Sequence, residues 1–329
     1  MKILEPSIES IFNIRTDEQF EGLALDVFRF QASENKVYKE FLECLKINPS
    51  DILSIDQIPF LPISFFKSLK VVSKSTHEKI FKSSGTGNQT RSQHFVSSLD
   101  IYQQSFTKGF QHFYQSHKNY TILALLPSYL EQGDSSLVHM VSSFIDDNKT
   151  NGSQFYLHNH QELNEKIIEL EKEEKPFILI GVSYALLDFI EKFSQKMKKG
   201  IVMETGGMKG RRKEMTKEEL HDELAKGFGC EKIHSEYGMT ELLSQAYSKE
   251  NGDYNCPPWM KVLTRSTTDP FEYTSIGARG LINVIDLANI NSCSFIATDD
   301  VGLINSDGSF KVLGRFDSSE IRGCNLMIN

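Results

Sequence analysis

Residues 120–228 alternate between short apolar segments and longer segments with helical periodicity, and this alternation constrains the fold more than any other feature of the sequence. The apolar segments cover residues 120–126, 177–181 and 201–204. The helical segments between and after them cover residues 137–144, 165–174, 184–193 and 216–228. Strands that alternate with helices are typical of parallel sheets covered on both faces, because parallel neighbours need a long crossover. The sequence therefore predicts an α/β fold with layered parallel sheets.

Local signals predict helices both before this region and at its end. Thr16 with Gln19, and Thr216 with Glu219, have the spacing of a capping box at a helix N-terminus. A helix with one buried aromatic face is also predicted before residue 120. Its inward residues are Tyr102, Phe106, Phe110 and Phe113. Residues 81–95, in contrast, are polar and contain glycine, and they are predicted to form a loop.

The pattern changes after residue 255, where short strand-like segments separated by turns replace the alternation. These segments are residues 260–264, 281–287, 294–298, 301–304 and 310–313. The sequence Ser-Asp-Gly-Ser at 306–309 indicates a hairpin turn between the last two of them. We therefore predict an α/β unit over residues 1–255 and a smaller β-rich unit over residues 256–329.

Charge and hydropathy exclude several classes of protein. The chain has 329 residues and a formal net charge of -8, and its basic residues are scattered, so no nucleic-acid or anionic-membrane partner is expected. The first residues lack the apolar core of a signal peptide, and the longest apolar runs are too short to span a bilayer. These observations predict a cytoplasmic protein.

The cysteines do not form a recognisable metal or disulfide pattern. They are Cys44, Cys230, Cys256, Cys293 and Cys324. They lie far apart and no two have CxxC spacing, so neither a zinc site nor a disulfide framework is indicated. In a reducing compartment all five should be free thiols.

The first candidate motif is the loop SSGTGNQTR at residues 83–91. Small residues let a backbone wrap around a phosphate group, while amide N–H groups and hydroxyls donate to its oxygens. Arg91 adds a positive charge at the end of the loop. No Gly-Lys-Ser/Thr follows, so this is not a Walker A motif. An ordinary polar loop is the alternative interpretation.

The second candidate motif is HSEYGMTE at residues 234–241. Tyr237 offers an aromatic face to a flat base, Thr240 offers a hydroxyl to a phosphate, and Glu241 offers the hard oxygen ligand that Mg²⁺ prefers. Gly238 permits a tight turn between them. The alternative is a turn at a strand end with a buried tyrosine.

The third candidate motif consists of TDDVG at residues 298–302 and GRFD at residues 314–317. A carboxylate at a strand end, such as Asp300, can accept hydrogen bonds from both ribose hydroxyls. Arg315 can hold ribose or phosphate. The alternative is a hairpin with solvated charges.

In their order and separation, the three motifs resemble those of the adenylate-forming superfamily, which includes acyl-CoA synthetases, luciferases and peptide-synthetase adenylation domains. The loop is similar to that superfamily's Ser-Ser-Gly-Thr-Thr-Gly-x-Pro-Lys element, although Thr90 replaces proline and Arg91 replaces lysine. Residues 237–241 match its Tyr-Gly-x-Thr-Glu. Asp300 and Arg315 match its ribose-binding aspartate and the arginine of its Gly-Arg-x-Asp.

A closer resemblance covers nearly the whole chain. Five segments are similar to the acyl-protein synthetases, the LuxE-type components of bacterial fatty-acid reductase complexes: IPFLPISFFK at 58–67, LPSYL at 126–130, SSLV at 135–138, ETGGMKGR at 204–211 and EIRGC at 320–324. Phenylacetate-CoA ligases are more distant relatives. In the LuxE-type family an acid becomes an acyl adenylate and then a thioester on a cysteine near the C-terminus. Cys324 is the matching position here.

The resemblance implies the large N-terminal domain of an adenylate-forming enzyme, without the mobile C-terminal lid domain, and a set of site residues. For ATP and AMP these are Ser83, Ser84, Gly85, Thr86, Gly87, Gly206, Gly207, Tyr237, Gly238, Met239, Thr240, Asp300 and Arg315. Glu241 is the implied Mg²⁺ ligand, and Cys324 and Thr240 are the implied catalytic residues. Lys209, Arg211 or Arg212 could replace the lysine that the missing lid would supply. Solvent exposure is the alternative for these basic residues.

The resemblance also implies a substrate and a partner. ATP and Mg²⁺ would activate a carboxylic acid, which the family implies is a fatty acid, and an NADPH-dependent acyl reductase would receive the acyl group. Two alternatives stay open. The chain could be an acid–thiol ligase that passes the acyl group to CoA or to a carrier protein, or a non-catalytic adenylate-binding protein.

Overall fold

A twelve-stranded mixed sheet forms the centre of the structure, a computed structural model that describes residues 4–84, 90–126, 133–207, 212–213 and 215–316. The helices are α1 (Ile8–Phe12), α2 (Asp17–Glu34), α3 (Lys36–Cys44), α4 (Phe65–Ser68), α5 (Leu99–Tyr114), α6 (Ser136–Asp147), α7 (His160–Lys172), α8 (Ser183–Ile190) and α9 (Lys217–Phe228). The strands are β1 (Leu61–Pro62), β2 (Lys79–Lys82), β3 (Gln93–Val96), β4 (Thr121–Leu125), β5 (Gln154–Tyr156), β6 (Phe177–Val182), β7 (Gly200–Thr205), β8 (Ile233–Tyr237), β9 (Ala246–Ser248), β10 (Tyr254–Asn255), β11 (Met260–Arg265), β12 (Gly280–Asp286), β13 (Phe295–Ile304) and β14 (Phe310–Arg315). No helix in the described part of the chain is long and apolar enough to cross a bilayer.

One half of the sheet is parallel. Strands β5, β4, β6, β7 and β8 are neighbours in that order. Helices α6, α7, α8 and α9 connect them along the chain. Every residue of β4 and β6 is buried, which explains why these two segments are almost entirely apolar instead of alternating. The predicted alternation of strands and helices is confirmed.

The other half of the sheet is antiparallel. From β8 it continues through β9, β10, β14, β13, β12 and β11, and β1 pairs in parallel with β13. The predicted hairpin at residues 306–309 joins β13 to β14, and Gly308 has the positive φ of 85° that favours glycine. Backbone hydrogen bonds therefore continue across residue 255. The proposed division into units at that residue stays a prediction.

Two strand predictions need correction. The two segments predicted at 294–298 and 301–304 form, from Phe295 onwards, a single strand, β13, which continues through the polar pair Asp299 and Asp300. Residues 81–95 are not loop throughout, because β2 and β3 form a hairpin at their two ends. In β3 the polar residues Gln93 and His94 come first, although His94 is buried, so the start of the strand looks like the end of a polar loop in the sequence.

The two capping boxes differ in the structure. The box at Thr216 and Glu219 is complete, as predicted. At α2, Thr16 accepts from the N–H of Gln19, but the Gln19 side chain accepts from the N–H of Arg15 instead of that of Thr16. Only half of the predicted box is therefore formed there.

A buried ion pair attaches α9 to the sheet. Glu204, in β7, is 0% exposed, and its carboxylate lies 2.7 Å from the ammonium group of Lys217. Ser183 donates to the same carboxylate over 3.1 Å, and Nε2 of His221 lies 3.4 Å from it. Burial alone would raise the pKa of Glu204, but Lys217 and the hydrogen bonds lower it to about 2. The stabilisation is therefore complete above the ordinary pKa of 4.5 and is lost as the pH falls towards 2.

Replacing Glu204 by alanine should lower the free energy of unfolding by about 3 kcal/mol, because Lys217 loses its partner. We expect the lower end of the range for a broken buried pair because the Lys217 side chain stays 26% exposed. Urea unfolding at neutral pH measures the change, with the exposed Glu231→Ala as a control. The double variant Glu204→Ala/Lys217→Met should recover part of the loss. A decrease in the free energy of unfolding of less than about 1 kcal/mol in Glu204→Ala would show that this ion pair stabilises the protein no more than a surface ion pair does.

Candidate active site

A cavity of about 360 Å³ lies where the carboxyl ends of β7 and β8 approach β13 and β14. In sheets with parallel strands, ligand sites form outside the carboxyl ends of the strands, where connecting loops can surround a small molecule. Eight residues of the predicted site line this cavity: Ser83, Ser84, Gly206, Gly238, Met239, Thr240, Glu241 and Arg315. The structure therefore brings parts of all three motifs together.

The other predicted residues do not line the described part of the cavity. Tyr237 and Asp300 are each next in sequence to a lining residue, and Gly207 is an exposed neighbour of Gly206. Six predicted residues lie outside the described ranges: Gly85, Thr86, Gly87, Lys209, Arg211 and Cys324. Their predicted roles stay predictions.

The turn after β8 presents Gly238, Met239, Thr240 and Glu241 to the cavity. A Cβ atom on Gly238 would lie 2.5 Å from Oε1 of Glu236, so no larger residue fits there without displacing that carboxylate. Glycine at this position leaves the Glu236 carboxylate where it is, at the point where the chain turns from the strand into the cavity wall.

Two buried side chains fix the backbone of this turn. His94 in β3 donates from Nδ1 to the carbonyl oxygen of Thr240 over 2.8 Å, and burial lowers the pKa of His94 to about 4. The side chain of Asn289, which lies 3.0 Å from the other ring nitrogen of His94, donates to the carbonyl oxygen of Glu241 over 2.8 Å. The β2–β3 hairpin and the segment after β12 therefore hold Thr240 and Glu241 in position together.

Replacing His94 by leucine should lower the free energy of unfolding by about 1–3 kcal/mol, because the buried Thr240 carbonyl loses its donor. His94→Gln, which retains an N–H donor, should lose less. The exposed His77→Leu serves as the control. Urea unfolding measures all three variants. Equal stability of His94→Leu and wild type would show that the hydrogen bond to Thr240 contributes nothing.

Glu241 is 5% exposed and faces the cavity. Burial raises the pKa of its carboxyl group, while a hydrogen bond with Ser92 and the charge of Arg315 act in the opposite direction. No group of three or more acidic, histidine or cysteine side chains in the described ranges forms a complete metal site. A single carboxylate beside a phosphate-sized space nevertheless fits Mg²⁺, which usually takes one or two carboxylates together with substrate phosphates and water.

Asp300 connects β8 with β13 and β14. Its carboxylate accepts a hydrogen bond from the Tyr237 hydroxyl over 2.9 Å and lies 3.4 Å from Nε of Arg315. Burial raises the pKa of Asp300, and Arg315 partly offsets this effect. The neighbouring Asp299 lines the cavity. Tyr237 is therefore a hydrogen-bond partner of Asp300, the residue predicted to bind ribose. The Tyr237 ring also packs edge-on against Tyr254.

The described ends of the predicted phosphate loop are tied together. Ser83 and Ser92 exchange two hydrogen bonds, through the Ser83 amide at 3.1 Å and the Ser83 hydroxyl at 2.9 Å. Arg91 forms an ion pair with Asp134 at 2.7 Å and donates to the Ser83 carbonyl oxygen. Arg91 was predicted to add a charge for phosphate, and the structure places part of that charge opposite Asp134.

Of the three basic candidates Lys209, Arg211 and Arg212, Arg212 is the one that the structure describes. It forms ion pairs with Asp188 and Glu191 in and next to α8, and the lining of the cavity does not include it. These ion pairs agree with the alternative given above for the basic residues, in which Arg212 is a charged residue of the surface and not part of the site. Lys67 and Arg315 are the cationic side chains in the described lining.

Sequence reasoning did not assign several residues that line the cavity to the site. They are Tyr102, Thr205, Glu236 and Gln245. Glu236 stands between Ser235 and Tyr237 in the second motif, and side chains alternate along a strand. That alternation is the available signal, because it places Glu236 on the face opposite Tyr237.

Comparison with known proteins identifies the family of the chain. The family model described as "Acyl-protein synthetase, LuxE" matches residues 12–329. The chain is 22% identical over 316 residues to the long-chain-fatty-acid–luciferin-component ligase of Aliivibrio fischeri, covering 86% of this chain and 79% of that one. The predicted resemblance to LuxE-type proteins is confirmed.

Solved structures share the fold. An open conformation of 2-hydroxyisobutyryl-CoA ligase in complex with 2-HIB-AMP and CoA superposes with a TM-score of 0.64 at 10% identity, covering 92% of this chain and 75% of that one. ATP-bound MatB from Rhodopseudomonas palustris gives 0.54 at 16% identity, covering 74% of this chain. The chain spans 49% of that MatB, about half its length. The predicted adenylate-forming fold is confirmed.

Proposed function

The chain belongs to the acyl-protein synthetase LuxE family of ligases, and from this we propose that it uses ATP to activate a carboxylic acid, of the fatty-acid class, and transfers the acyl group to its own Cys324. The observation that carries the proposal is the convergence of Ser83 and Ser84, Thr240 and Glu241, and Arg315 on one cavity. Each of these pairs or residues is common by itself. Their convergence provides oxygen and nitrogen donors for phosphate, a metal ligand and a cation within one space.

In the first half-reaction a carboxylate oxygen of the acid attacks the α-phosphorus of ATP, and the bond to pyrophosphate breaks. The substrate carboxylate is already ionised, so the chain needs no general base. Its tasks are alignment and charge neutralisation. The hydroxyls of Ser83, Ser84 and Thr240 would donate to phosphate oxygens, and Lys67 and Arg315, which line the same cavity, would supply positive charge.

Glu241 would hold Mg²⁺, which when bound neutralises charge on the phosphates. Asp300, already oriented by Tyr237 and Arg315, would accept from the ribose hydroxyls. Gly206 and Gly207 at the end of β7 would leave room for the adenine. Lys209 and Arg211 keep their proposed role as extra positive charges near the departing pyrophosphate.

In the second half-reaction the Cys324 thiolate attacks the carbonyl carbon of the acyl adenylate. The bond to the phosphate oxygen breaks, AMP leaves, and a thioester remains on the chain. Cys324 follows Arg315 by nine positions, and an extended segment of that length spans at most about 30 Å. Cys324 can therefore reach a cavity that Arg315 itself lines.

A protein-bound thioester needs an acceptor. We propose an NADPH-dependent acyl reductase as the partner, with nicotinamide bound by that partner. A cytoplasmic location would keep Cys324 reduced.

The proposal is tested by ATP–pyrophosphate exchange with a panel of acids, with intact-protein mass measured in parallel. We expect acid-dependent exchange and a mass increase equal to one acyl group, removable by hydroxylamine. Exchange without protein acylation, accompanied by acyl-CoA when CoA is added, would favour the second candidate, an acid–CoA ligase. The fold match to 2-hydroxyisobutyryl-CoA ligase supports that candidate. Nucleotide binding without exchange for any acid would contradict both.

A further inference from the structure

The inner part of the cavity contains a polar group of side chains that the proposed chemistry does not use. Glu236 and Gln245 both line the cavity and are each 6% exposed. Thr205 donates a hydrogen bond of 2.5 Å to Oε2 of Glu236. The two longer side chains lie against the same glycine, since a Cβ atom on Gly238 would be 2.5 Å from Oε1 of Glu236 and 3.3 Å from Cγ of Gln245. We name these three residues, Thr205, Glu236 and Gln245, the inner polar cluster.

The hydrogen bonds of this cluster are incomplete within the described residues. Thr205 is the one hydrogen-bond donor to Glu236 found there. The side-chain oxygen of Gln245 is buried without a hydrogen-bond partner. A buried acceptor without a donor is costly, and a buried carboxylate more so. Burial raises the pKa of Glu236 to about 7, so a donor that reaches it would also favour its charged form.

The alternation of side chains in β8 separates the cluster from the predicted ribose position. Tyr237 points to Asp300 and the predicted ribose position, and Glu236, its neighbour in β8, points to the opposite face. Tyr102 from α5 and Met140 from α6 line the same cavity as Glu236. If the nucleotide lies along Asp300 and Arg315, the chain of the acid enters the space beside Glu236.

Among the described residues, the wall behind this space is apolar. Met140 separates the cavity from a region lined by Phe110, Phe144, Ile180, Met203 and Tyr247 in which about 10 Å³ is free. That is about the least space that can hold a water molecule. The described residues therefore offer an acid a polar group at the cavity end, and an unbranched alkyl chain would have to displace Met140 to pass further.

We propose that the inner polar cluster recognises a hydrogen-bond-donating substituent, a hydroxyl or an ammonium group, on the chain of the acid that the enzyme activates. The proposal rests on the proposed function and specifies its substrate class. Glu236 and Gln245 supply the acceptors, and Thr205 orients the Glu236 carboxylate. A site built to pair with such a group discriminates against analogues that lack it, because its own acceptors then stay unpaired.

The test compares matched acids in ATP–pyrophosphate exchange. Straight-chain acids from acetate to palmitate are assayed beside counterparts carrying a hydroxyl or an amino group at successive positions. With wild-type protein we expect at least one substituted acid to exceed its unsubstituted counterpart in kcat/KM by about 10-fold or more. Glu236→Leu should reduce or reverse this ratio, with the KM for ATP unchanged.

Glu236→Gln separates the two kinds of substituent. It removes the charge and keeps an acceptor, so it should abolish a preference for an ammonium group and preserve part of a preference for a hydroxyl. Glu250→Gln, an exposed glutamate after β9, is the matched control. Circular dichroism confirms that each variant is folded, and the wild-type panel alone suffices if one is not.

The outcomes distinguish the inference from the proposed function. Exchange that is highest with unsubstituted acids would overturn the inference and leave acid activation standing. An altered KM for ATP in Glu236→Leu, with the acid preference unchanged, would assign the cluster to the nucleotide and also overturn it. Exchange with no acid would overturn the proposed function and the inference with it.

Discussion

Replacing Glu241 by glutamine should reduce acid-dependent ATP–pyrophosphate exchange by at least about 100-fold, the scale on which removal of one preorganised electrostatic group acts on a transition state. The change keeps the size of the side chain and removes its charge. Glutamine retains one oxygen but is a poorer ligand for a hard divalent cation than carboxylate. The loss should therefore appear in the chemical step, with the protein still folded.

The structure indicates that Glu241→Gln should affect the chemical step and not the folding of the protein. The Glu241 carboxylate is buried against the cavity, while its backbone carbonyl is held independently by Asn289. Ser92 is the hydrogen-bond partner of the side chain, and it can pair with an amide as well as with a carboxylate. Because burial disfavours the charge in the free protein, neutralising Glu241 should preserve or slightly increase stability.

Exchange is measured over a range of Mg²⁺ concentrations, together with urea unfolding. The exposed Glu272→Gln is the control. We expect Glu241→Asp to recover part of the activity at high Mg²⁺, because it restores a carboxylate at a shorter reach. Near-normal exchange in Glu241→Gln at limiting Mg²⁺ would remove Glu241 from the proposed metal site.

Replacing Cys324 by alanine should abolish the protein-bound thioester and leave ATP–pyrophosphate exchange within about twofold of wild type, since the two half-reactions use different nucleophiles. The acid attacks phosphorus in the first step and needs no thiol. Without an acceptor, the acyl adenylate should accumulate on the enzyme. Intact-protein mass spectrometry reports the thioester, and extraction with acid reports the adenylate.

The other four cysteines are poorly suited to the transfer. Burial raises the pKa of Cys256 and of Cys293 to about 12, so almost no thiolate exists at neutral pH. Burial also raises the pKa of Cys230. Cys44 is exposed at the end of α3, and none of these four lines the cavity. If a thiol of this chain accepts the acyl group, Cys324 is the remaining candidate.

Cys44→Ala is the matched control for Cys324→Ala, because it removes an exposed thiol elsewhere on the surface. It should acylate normally. A thioester that persists in Cys324→Ala and disappears in Cys44→Ala would move the acceptor role to Cys44. Exchange that fails in Cys324→Ala would instead give this residue a part in forming the adenylate.

The sequence predicted those features that depend on local pattern. Continuous apolar segments identified β4, β6 and β7, and cap residues identified the start of α9. The motif from Gly238 to Glu241 was predicted as one site with Arg315, although 74 positions separate Glu241 from that residue, because the resemblance to a known family linked the separate motifs.

Features that depend on packing across the sheet were not predicted. Asp299 and Asp300 look like turn residues because both are polar. The sequence does not show that Tyr237 and Arg315 pair with Asp300 inside a strand. His94 looks like a loop residue, since its partners Thr240 and Asn289 lie more than a hundred positions away. Glu236 is not distinguished by its neighbours in sequence. Its character comes from burial beside Thr205 and Gln245.

The unbroken sheet also bears on how such an enzyme changes its preference over evolutionary time. Thr205, Glu236 and Asp300 stand on strands joined through one continuous ladder of backbone hydrogen bonds, so substitution of one side chain leaves the frame beneath the others intact. Single substitutions can therefore replace residues of the inner polar cluster and leave in place the residues proposed to form the acyl adenylate. The substrate preference of such a family can therefore change through side-chain substitutions on one sheet, while the backbone of the sheet stays the same.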